Sequence, residues 1–176
     1  MSIFYYDSNL YSLESVFKWD DALKYLESVY QSGNENENSV LRSLVGFSWY
    51  YLIEGPIDSG LYEDGSSKMP LYFWKKYIDI GCAKASCDPF FYYVAGYTLS
   101  ISGLWIDESY EKRGSLYVRK SLELTDCTLL QQLANNFLLN EFSKKYTRLC
   151  NSKEICASFF NGKSLLDKYF VEILNA

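Results

Sequence analysis

The sequence predicts an all-α fold, either an irregular stack of helix hairpins or a compact helical bundle. Apolar residues recur every three or four positions in most segments, which is the spacing of a helix with one buried face. Helix-capping signals separate these segments, such as Asp88-Pro89 before one and Gly103 after it. A chain of 176 residues fits one domain, so we expect residues 1–176 to form a single helical domain.

Each predicted helix follows from this spacing and from its capping signals. Asp20 or Asp21 is expected to cap the first, and Gly55-Pro56 is expected to end the second, with a loop over 58–67. Asp126 is expected to cap the sixth predicted helix. In chain order, the predicted helices cover 20–31, 39–54, 70–85, 89–102, 110–124, 127–138, 153–160 and 165–174.

Two predicted helices are apolar on all sides, which is typical of a helix buried between neighbours. One is 39–54, and the other includes Phe90 to Ile101. The second segment also has high strand propensity, and if it formed a strand the all-α prediction would be wrong. The preceding Asp88-Pro89 pair and the length of the segment favour a helix.

A loose internal repeat appears when three predicted helices are aligned. Leu44-Val45-Gly46, Val94-Ala95-Gly96 and Leu133-Ala134-Asn135 fall at matching places, 50 and then 39 residues apart. A small residue at such a place lets a neighbouring helix cross closely. Similar periods are typical of stacked helix hairpins, which leaves the stack and the bundle as alternatives.

The composition disfavours the common catalytic mechanisms. The chain has no histidine, which excludes Ser-His-Asp and Cys-His nucleophiles and histidine-ligated metals, and it has no glycine-rich phosphate motif. Adjacent acidic pairs point in different directions and suggest no acid/base dyad. The five cysteines match no zinc spacing and are expected to be buried thiols. We therefore expect no enzyme, no metal site and no cofactor.

The chain is also expected to stay in the cytoplasm, away from membranes. No apolar run approaches the roughly 20 residues that a membrane span needs. The first residues, Met1 to Asp7, lack the basic and apolar regions of a secretory signal.

Charge and aromatic residues indicate a protein-binding function. Residues 1–65 carry three basic side chains against eleven acidic ones, whereas 66–176 carry fourteen against eleven. An acidic region disfavours direct nucleic-acid binding and attracts a basic protein, although it could also serve only solubility. With seventeen Tyr, eleven Phe and four Trp, some aromatics, including Tyr5 and Tyr6, are expected at the surface. The predicted partner-binding residues are Glu35, Glu37, Asp58, Tyr62, Glu63, Asp64, Trp105, Asp107 and Glu108.

The segment Gly103-Leu104-Trp105-Ile106-Asp107-Glu108-Ser109-Tyr110-Glu111-Lys112-Arg113-Gly114-Ser115-Leu116-Tyr117 resembles the turn and first helix of a Sel1/tetratricopeptide-type repeat. The likeness covers about forty residues, and the rest of the chain matches only in its helix spacing. Gly114 replaces the usual Ala, and Asn135 stands where the second helix usually has Gly. The resemblance implies a stack of helix hairpins.

The overall profile, small, acidic, helical and aromatic-rich, is similar to that of immunity proteins of bacterial contact-dependent growth inhibition systems. That resemblance implies a cytosolic protein that binds and neutralises a cognate toxin domain, commonly a nuclease such as a tRNase. It implies a basic surface on the toxin. The alternative is a helical-repeat adaptor that binds a peptide or protein without inhibiting a toxin.

Overall fold

The computed structural model describes residues 2–33, 36–59, 68–85, 87–103, 106–143, 152–160 and 163–175, with the backbone alone at 55–59 and 140–143. Within these ranges the regular structure is helical and no strand occurs, so the predicted all-α fold is confirmed. None of the described helices combines the length and apolar composition that crossing a membrane requires. The helices are α1 (Ser8–Glu14), α2 (Trp19–Ser32), α3 (Glu37–Ser59), α4 (Lys68–Lys84), α5 (Pro89–Gly103), α6 (Ser109–Leu124), α7 (Thr128–Ser143), α8 (Ser152–Phe159) and α9 (Leu165–Asn175).

Helices α2 to α7 alternate between two layers. In one layer α2 packs on α4, and an ion pair between Asp79 and Arg113 joins α4 to α6. In the other layer the ring of Tyr97, in α5, contacts Trp49 of α3 and Phe137 of α7. This alternation is that of a helix-hairpin stack, one of the two predicted architectures.

The direction of the helices decides which connections lie together. Arg42 near the start of α3 bonds Asp88 just before α5, and Trp49 bonds Ser102 near the end of α5. Helices α3 and α5 therefore run in the same direction, and α4 and α6 run the opposite way. The α3–α4 and α5–α6 connections leave the helices at one end of the stack, called here the α5–α6 end. The α2–α3 and α4–α5 connections leave at the other, called the α2–α3 end.

Helix α5 lies at the centre of the core. Every residue from Phe91 to Ser100 is buried, and the helix packs on α3, α4, α6 and α7. The side chain of Asp88 accepts a hydrogen bond from the Phe90 N–H at 3.0 Å, which confirms the predicted cap. The segment with high strand propensity is thus a helix, because a helix apolar on all sides satisfies its own backbone while neighbours bury its side chains.

Helices α5 and α6 approach each other closely through small residues. A Cβ atom placed on Gly96 would lie 2.8 Å from the carbonyl oxygen of Gly114, and one on Gly114 would lie 2.5 Å from the Ser100 nitrogen. Real Cβ atoms do not come this near to backbone atoms. The small residue expected at position 96 of the repeat pattern therefore has the predicted role.

The segment before α1 closes the fold against its last helices. The Ile3 N–H donates to the Phe159 carbonyl at 2.9 Å, and the Ser2 hydroxyl donates to Asp167 at 2.7 Å. The ring of Phe4 stacks on Phe170, with centroids 5.7 Å apart. These bonds join parts of the chain that are far apart in sequence.

A buried ion pair connects this segment to the stack. Arg42 donates to the Ile3 carbonyl at 2.6 Å and to Asp88 at 2.5 Å, and its guanidinium lies 5.8 Å from the centroid of Phe90. Burial lowers the pKa of Arg42, and the nearby Asp88 carboxylate opposes that shift. One side chain thus ties the first residues, α3 and the start of α5 together.

The final helix begins as predicted. The Asp167 N–H donates to the Ser164 hydroxyl at 3.0 Å, and the Ser164 N–H donates back to Asp167 at 3.4 Å. This reciprocal pair is the predicted capping box.

The predicted end of α3 is wrong. The helix does not end at Gly55-Pro56 but continues to Ser59, so Asp58 lies in it and not in a loop. A proline at position 56 removes the hydrogen bond to the Leu52 carbonyl and crowds that carbonyl with its ring, which weakens the helix at one place. One missing bond does not prevent another helical turn.

Two predicted caps are also wrong. Helix α2 begins at Trp19, so Asp20 and Asp21 lie inside its first turn, where the helix dipole still favours them. Helix α7 begins at Thr128, two residues beyond Asp126.

Two smaller expectations also differ from the structure. Asn135 is exposed, so the third position of the aligned repeat is not a close helix contact. The cysteines are not buried as expected, since Cys87 is exposed and Cys82, Cys127 and Cys156 are half-buried. Cys150 lies outside the described residues.

Candidate partner-binding surface

The α5–α6 end of the stack contains two of the described residues that the sequence predicts for partner binding. Asp107 and Glu108 are both exposed in the turn between α5 and α6. The end of α3 and the end of α5, about forty residues apart in the sequence, lie at this same end of the stack. Three further predicted residues, Tyr62, Glu63 and Asp64, follow α3 in the sequence.

Asp107 is held by the start of α6. Its carboxylate accepts the Ser109 N–H at 2.8 Å, and bonds from the Ser109 hydroxyl and N–H lower the pKa of Asp107. The positive charge of Lys75 on α4 acts in the same direction. Asp107 is therefore ionised at neutral pH, and a partner cation could contact it without displacing a buried group.

Glu108 borders an open cavity of about 540 Å³ that the other lining residues, Gly103, Ser109, Glu111 and Lys112, complete. Glu108 stands at the N-cap position of α6 but makes no side-chain capping bond. Its carboxylate is thus not committed to the helix. The cavity belongs to the same surface and adds a concave element to it.

The first turn of α2 contributes further carboxylates to this end. Asp20 and Asp21 are exposed, and Asp20 accepts a hydrogen bond from the Tyr51 hydroxyl at 2.9 Å. Burial and the bond to Asp20 raise the pKa of Tyr51 to about 12. Exposed Lys18 and Lys68 lie near the same helix ends, so this surface carries both signs of charge.

Glu37 does not belong to this surface. It starts α3 at the opposite, α2–α3 end and forms an ion pair with Lys84 at 3.0 Å. Hydrogen bonds from Lys84 and Tyr30 lower the pKa of Glu37. The predicted set is thus divided, because connections that follow one another in a hairpin stack emerge at alternate ends.

The other predicted residues cannot be placed at the level of side chains. Glu35, Tyr62, Glu63, Asp64 and Trp105 lie outside the described residues. Asp58 lies in α3, where the backbone alone is described.

Part of the acidic charge of residues 1–65 is used inside the fold. Glu27 accepts bonds from Lys76 and from the Tyr77 hydroxyl, each at 2.7 Å. Burial acts to raise the pKa of Glu27, but these bonds outweigh it and hold the pKa below its usual value. Together with the Glu37–Lys84 pair, this contact shows that α2 and α3 match acidic residues to basic ones on α4. The charge difference along the sequence is therefore partly an internal pairing of helices.

The aromatic residues at the start of the chain are less exposed than expected. Tyr5 is half-buried, and its hydroxyl donates to Asp7 at 2.8 Å while its N–H donates to Ser43 at 2.8 Å. Tyr6 is half-buried as well. These tyrosines anchor the closing segment instead of presenting it to a partner.

An exposed apolar turn between α1 and α2 was not predicted. Val16 and Phe17 in this turn are 56% and 54% exposed, and Tyr11 in the preceding helix is 55% exposed. Helix α1 is too short to show a periodic pattern. The sequence does contain a capping residue, Asp7, whose carboxylate accepts the Leu10 N–H at 2.8 Å. Nothing in the sequence marks Phe17 as the residue that ends this helix.

Comparison of the chain with protein-family models, with curated proteins and with solved structures finds no match. Within the described residues, no group of three or more acidic or cysteine side chains is arranged to hold a metal ion. The arrangement at the α5–α6 end offers exposed carboxylates, a cavity and nearby apolar side chains.

Proposed function

We propose that the chain is an immunity-type protein that binds a basic toxin domain, such as a nuclease, and neutralises it by contact. The observation that supports this proposal best is the group of exposed carboxylates on described residues at the α5–α6 end of the stack. Asp107 and Glu108 are exposed there, and Asp20 and Asp21 stand at the same end. In this proposal the protein acts in the cytoplasm, by binding and without turnover or a cofactor.

The carboxylates that the fold leaves at the surface are the ones that can attract a basic partner. Glu27 and Glu37 are paired with lysines of α4, so their charges are largely compensated. Asp21 and Glu108 are exposed, and a nuclease needs a positive surface to hold the phosphates of its substrate. Carboxylates opposite such a surface speed association and cover the groups that bind nucleic acid.

A second candidate, the helical-repeat adaptor, also has a specific observation in its favour. The layer formed by α2, α4 and α6 exposes Tyr72 and Leu116, at 60% and 65%, beside the exposed cations Lys75 and Lys112. An extended acidic peptide with an apolar residue would fit a face of that kind. This face shares Lys112 with the cavity at the α5–α6 end, whereas Tyr72 and Leu116 lie outside that cavity, so mutation of these two apolar residues separates the two candidates.

The test is to purify the tagged protein from its native cell, identify retained proteins by mass spectrometry and titrate the complex with salt. A single stoichiometric, basic, nuclease-like partner is expected, and adding the chain should inhibit its nuclease activity. The variant Asp21→Lys/Glu108→Lys should slow association on the order of tenfold and weaken its dependence on salt. The control, Glu123→Lys/Asp126→Lys, reverses two exposed charges at the α2–α3 end and should leave association unchanged.

Other outcomes would contradict this proposal. A weakly held acidic peptide whose binding is lost in Tyr72→Ala/Leu116→Ala would establish the adaptor instead. Equal association of both double-lysine variants with a basic partner would remove the role given to the α5–α6 end. A partner whose activity is undiminished in the complex would contradict neutralisation.

A further inference from the structure

The turn that joins α1 to α2 has an unusual backbone. The Phe17 N–H donates to the Glu14 carbonyl at 3.1 Å, and the Lys18 N–H donates to the Leu13 carbonyl at 3.0 Å. This pair of bonds is a Schellman motif, in which the residue at the position of Phe17 adopts a left-handed conformation. Its φ is +56°, and Phe17 alone among the described non-glycine residues has a positive φ.

Glycine usually occupies this position, because a Cβ atom in the left-handed region crowds the neighbouring carbonyl. A large side chain could offset that cost by being buried. The ring of Phe17, however, is 54% exposed, and its neighbour Val16 is 56% exposed. Burial within the chain therefore offsets the unfavourable backbone only in part. Such residues concentrate at sites where a protein contacts other molecules.

The turn is held on a rigid base. Phe17 leans on Trp19, with ring centroids 6.1 Å apart, and Trp19 is stacked on Phe47 at 5.5 Å and on Tyr51 at 5.4 Å. Trp19 is 4% exposed, and its Nε1 donor is buried without a hydrogen-bond partner among the described residues. A ring presented from such a cluster loses little conformational entropy when it enters a pocket.

Charge next to the turn indicates the kind of surface that would cover it. Asp20 and Asp21 are exposed in the first turn of α2, within four residues of Phe17. Lys18, next to Phe17, is exposed as well, but the two carboxylates outnumber it, so the ring and its surroundings complement an apolar pocket with a mainly basic rim. The turn lies at the same end of α2 that faces the α5–α6 end of the stack.

We propose that the Val16–Phe17 turn is the apolar anchor of the partner complex, with the ring of Phe17 entering a basic-rimmed pocket on the partner protein. This inference rests on the proposed function, because the occupant is the basic partner proposed above. The Phe17 contact is additional to the contacts of the carboxylates. It affects the dissociation rate of the complex more than the association rate.

The test compares Phe17→Gly with Leu124→Ala, measuring thermal unfolding and the binding kinetics of the purified, identified partner. Glycine suits the left-handed backbone, so the unfolding midpoint of Phe17→Gly is expected to rise by ~2–4 °C. The same substitution removes the anchor, so the affinity should fall by at least ~30-fold, mostly through faster dissociation. Leu124 is an exposed residue at the end of α6, at the opposite α2–α3 end of the stack, and its truncation should not change the affinity.

The outcomes separate this inference from the function on which it rests. If the partner binds wild type and Phe17→Gly equally, the anchor is wrong and the proposed function stands. If wild type binds no basic partner, both are wrong. A lower unfolding midpoint for Phe17→Gly would contradict the argument from backbone strain. Self-association of wild type that Phe17→Gly abolishes would make a second copy of this chain the occupant.

Discussion

At the scale of single residues, the carboxyl group of Glu14 has a pKa that its buried environment changes strongly. Glu14 is 6% exposed, at the end of α1, and it accepts the Leu165 N–H at 3.3 Å. Burial raises its pKa to about 7, and the nearby Asp167 adds to that shift, while the Leu165 bond and Lys168 oppose it. Asp167 is itself buried, and burial raises its pKa as well.

This environment predicts a pH dependence of stability. A glutamate whose pKa is about 7 when folded and 4.5 when unfolded binds more protons in the folded state between those values. The free energy of unfolding should therefore fall as the pH rises from about 4.5 to about 7, and the loss should level off above that. Glu14→Gln keeps an acceptor for Leu165 and should raise the stability at pH 8 by on the order of 1–3 kcal/mol.

Urea denaturation of wild type and Glu14→Gln at pH 5 and pH 8 measures this effect. The exposed Glu154 on α8 supplies the control, and Glu154→Gln should follow the wild-type profile. Parallel pH profiles for wild type and Glu14→Gln would show that Glu14 does not titrate in this range.

Residue-level contacts of this kind could not be predicted from the sequence. Arg42 was counted as one of three basic residues in an acidic region, but it is buried between the Ile3 carbonyl and Asp88. Its partners are 39 and 46 residues away, and no local pattern connects them. The cap of α5 by Asp88 was predictable, because a cap and the helix it starts are adjacent in sequence.

At the scale of helices, the contact between α5 and α6 depends on the absence of side chains. A Cβ atom on Gly114 would lie 2.2 Å from the Ser100 Oγ and 2.5 Å from its nitrogen, so the backbones would have to separate. A Cβ atom on Gly46, in α3, would meet only side-chain atoms of Leu166 and Phe4, at 3.0 Å and beyond. Side chains can adjust where a backbone cannot.

Gly114→Ala should therefore destabilise the protein much more than Gly46→Ala. Alanine favours a helix over glycine by about 1 kcal/mol at either position. At Gly114 the overpacking cost of about 3 kcal/mol exceeds that gain. At Gly46 the overpacking cost is smaller and nearly cancels the gain in helix propensity. Chemical denaturation of the two variants gives both free energies. Similar stabilities would mean that α6 can move away from α5 at little cost.

The sequence predicted helix interiors better than helix ends. Apolar spacing and the Asp88-Pro89 start placed α5 correctly, because buried helices need both features. The end of α3 was misplaced at Pro56, since a proline weakens a helix without forbidding another turn. Helix α1 was missed because its seven residues are too few to show a period.

At the scale of the whole molecule, the layered topology explains why the predicted partner-binding residues are divided between two ends of the stack. Acidic residues near 37 and near 107 look alike in sequence, but the α2–α3 and α5–α6 connections leave the stack at opposite ends. Composition has no information about which end a connection occupies. Whether two connections lie at the same end depends on the number of helices between them. One wrongly assigned helix therefore moves a connection to the opposite end.

Closure of the fold by its first residues is a property of the whole molecule and can be tested. Phe4 is 4% exposed and contacts Phe160 and Phe170, so Phe4→Ala should cost about 3–5 kcal/mol of stability. Amide hydrogen exchange should also increase in α9, because the segment over 2–7 no longer holds that helix. Tyr11→Ala, at a residue that is 55% exposed, is the control and should leave the exchange of α9 unchanged. Protection of α9 that survives Phe4→Ala would show that α3 and α8 hold the helix without the first residues.

That closure also bears on how the chain folds as it is made. The Ser2–Asp167 bond joins residues 165 positions apart, so a ribosome produces the first of them long before the second. The hairpins of α2 to α7 can assemble from neighbouring segments as they emerge. The groove over α3 that receives Phe4 and α9 must wait, with its apolar lining exposed to water. The nascent chain therefore passes through an interval in which it offers this groove to chaperones.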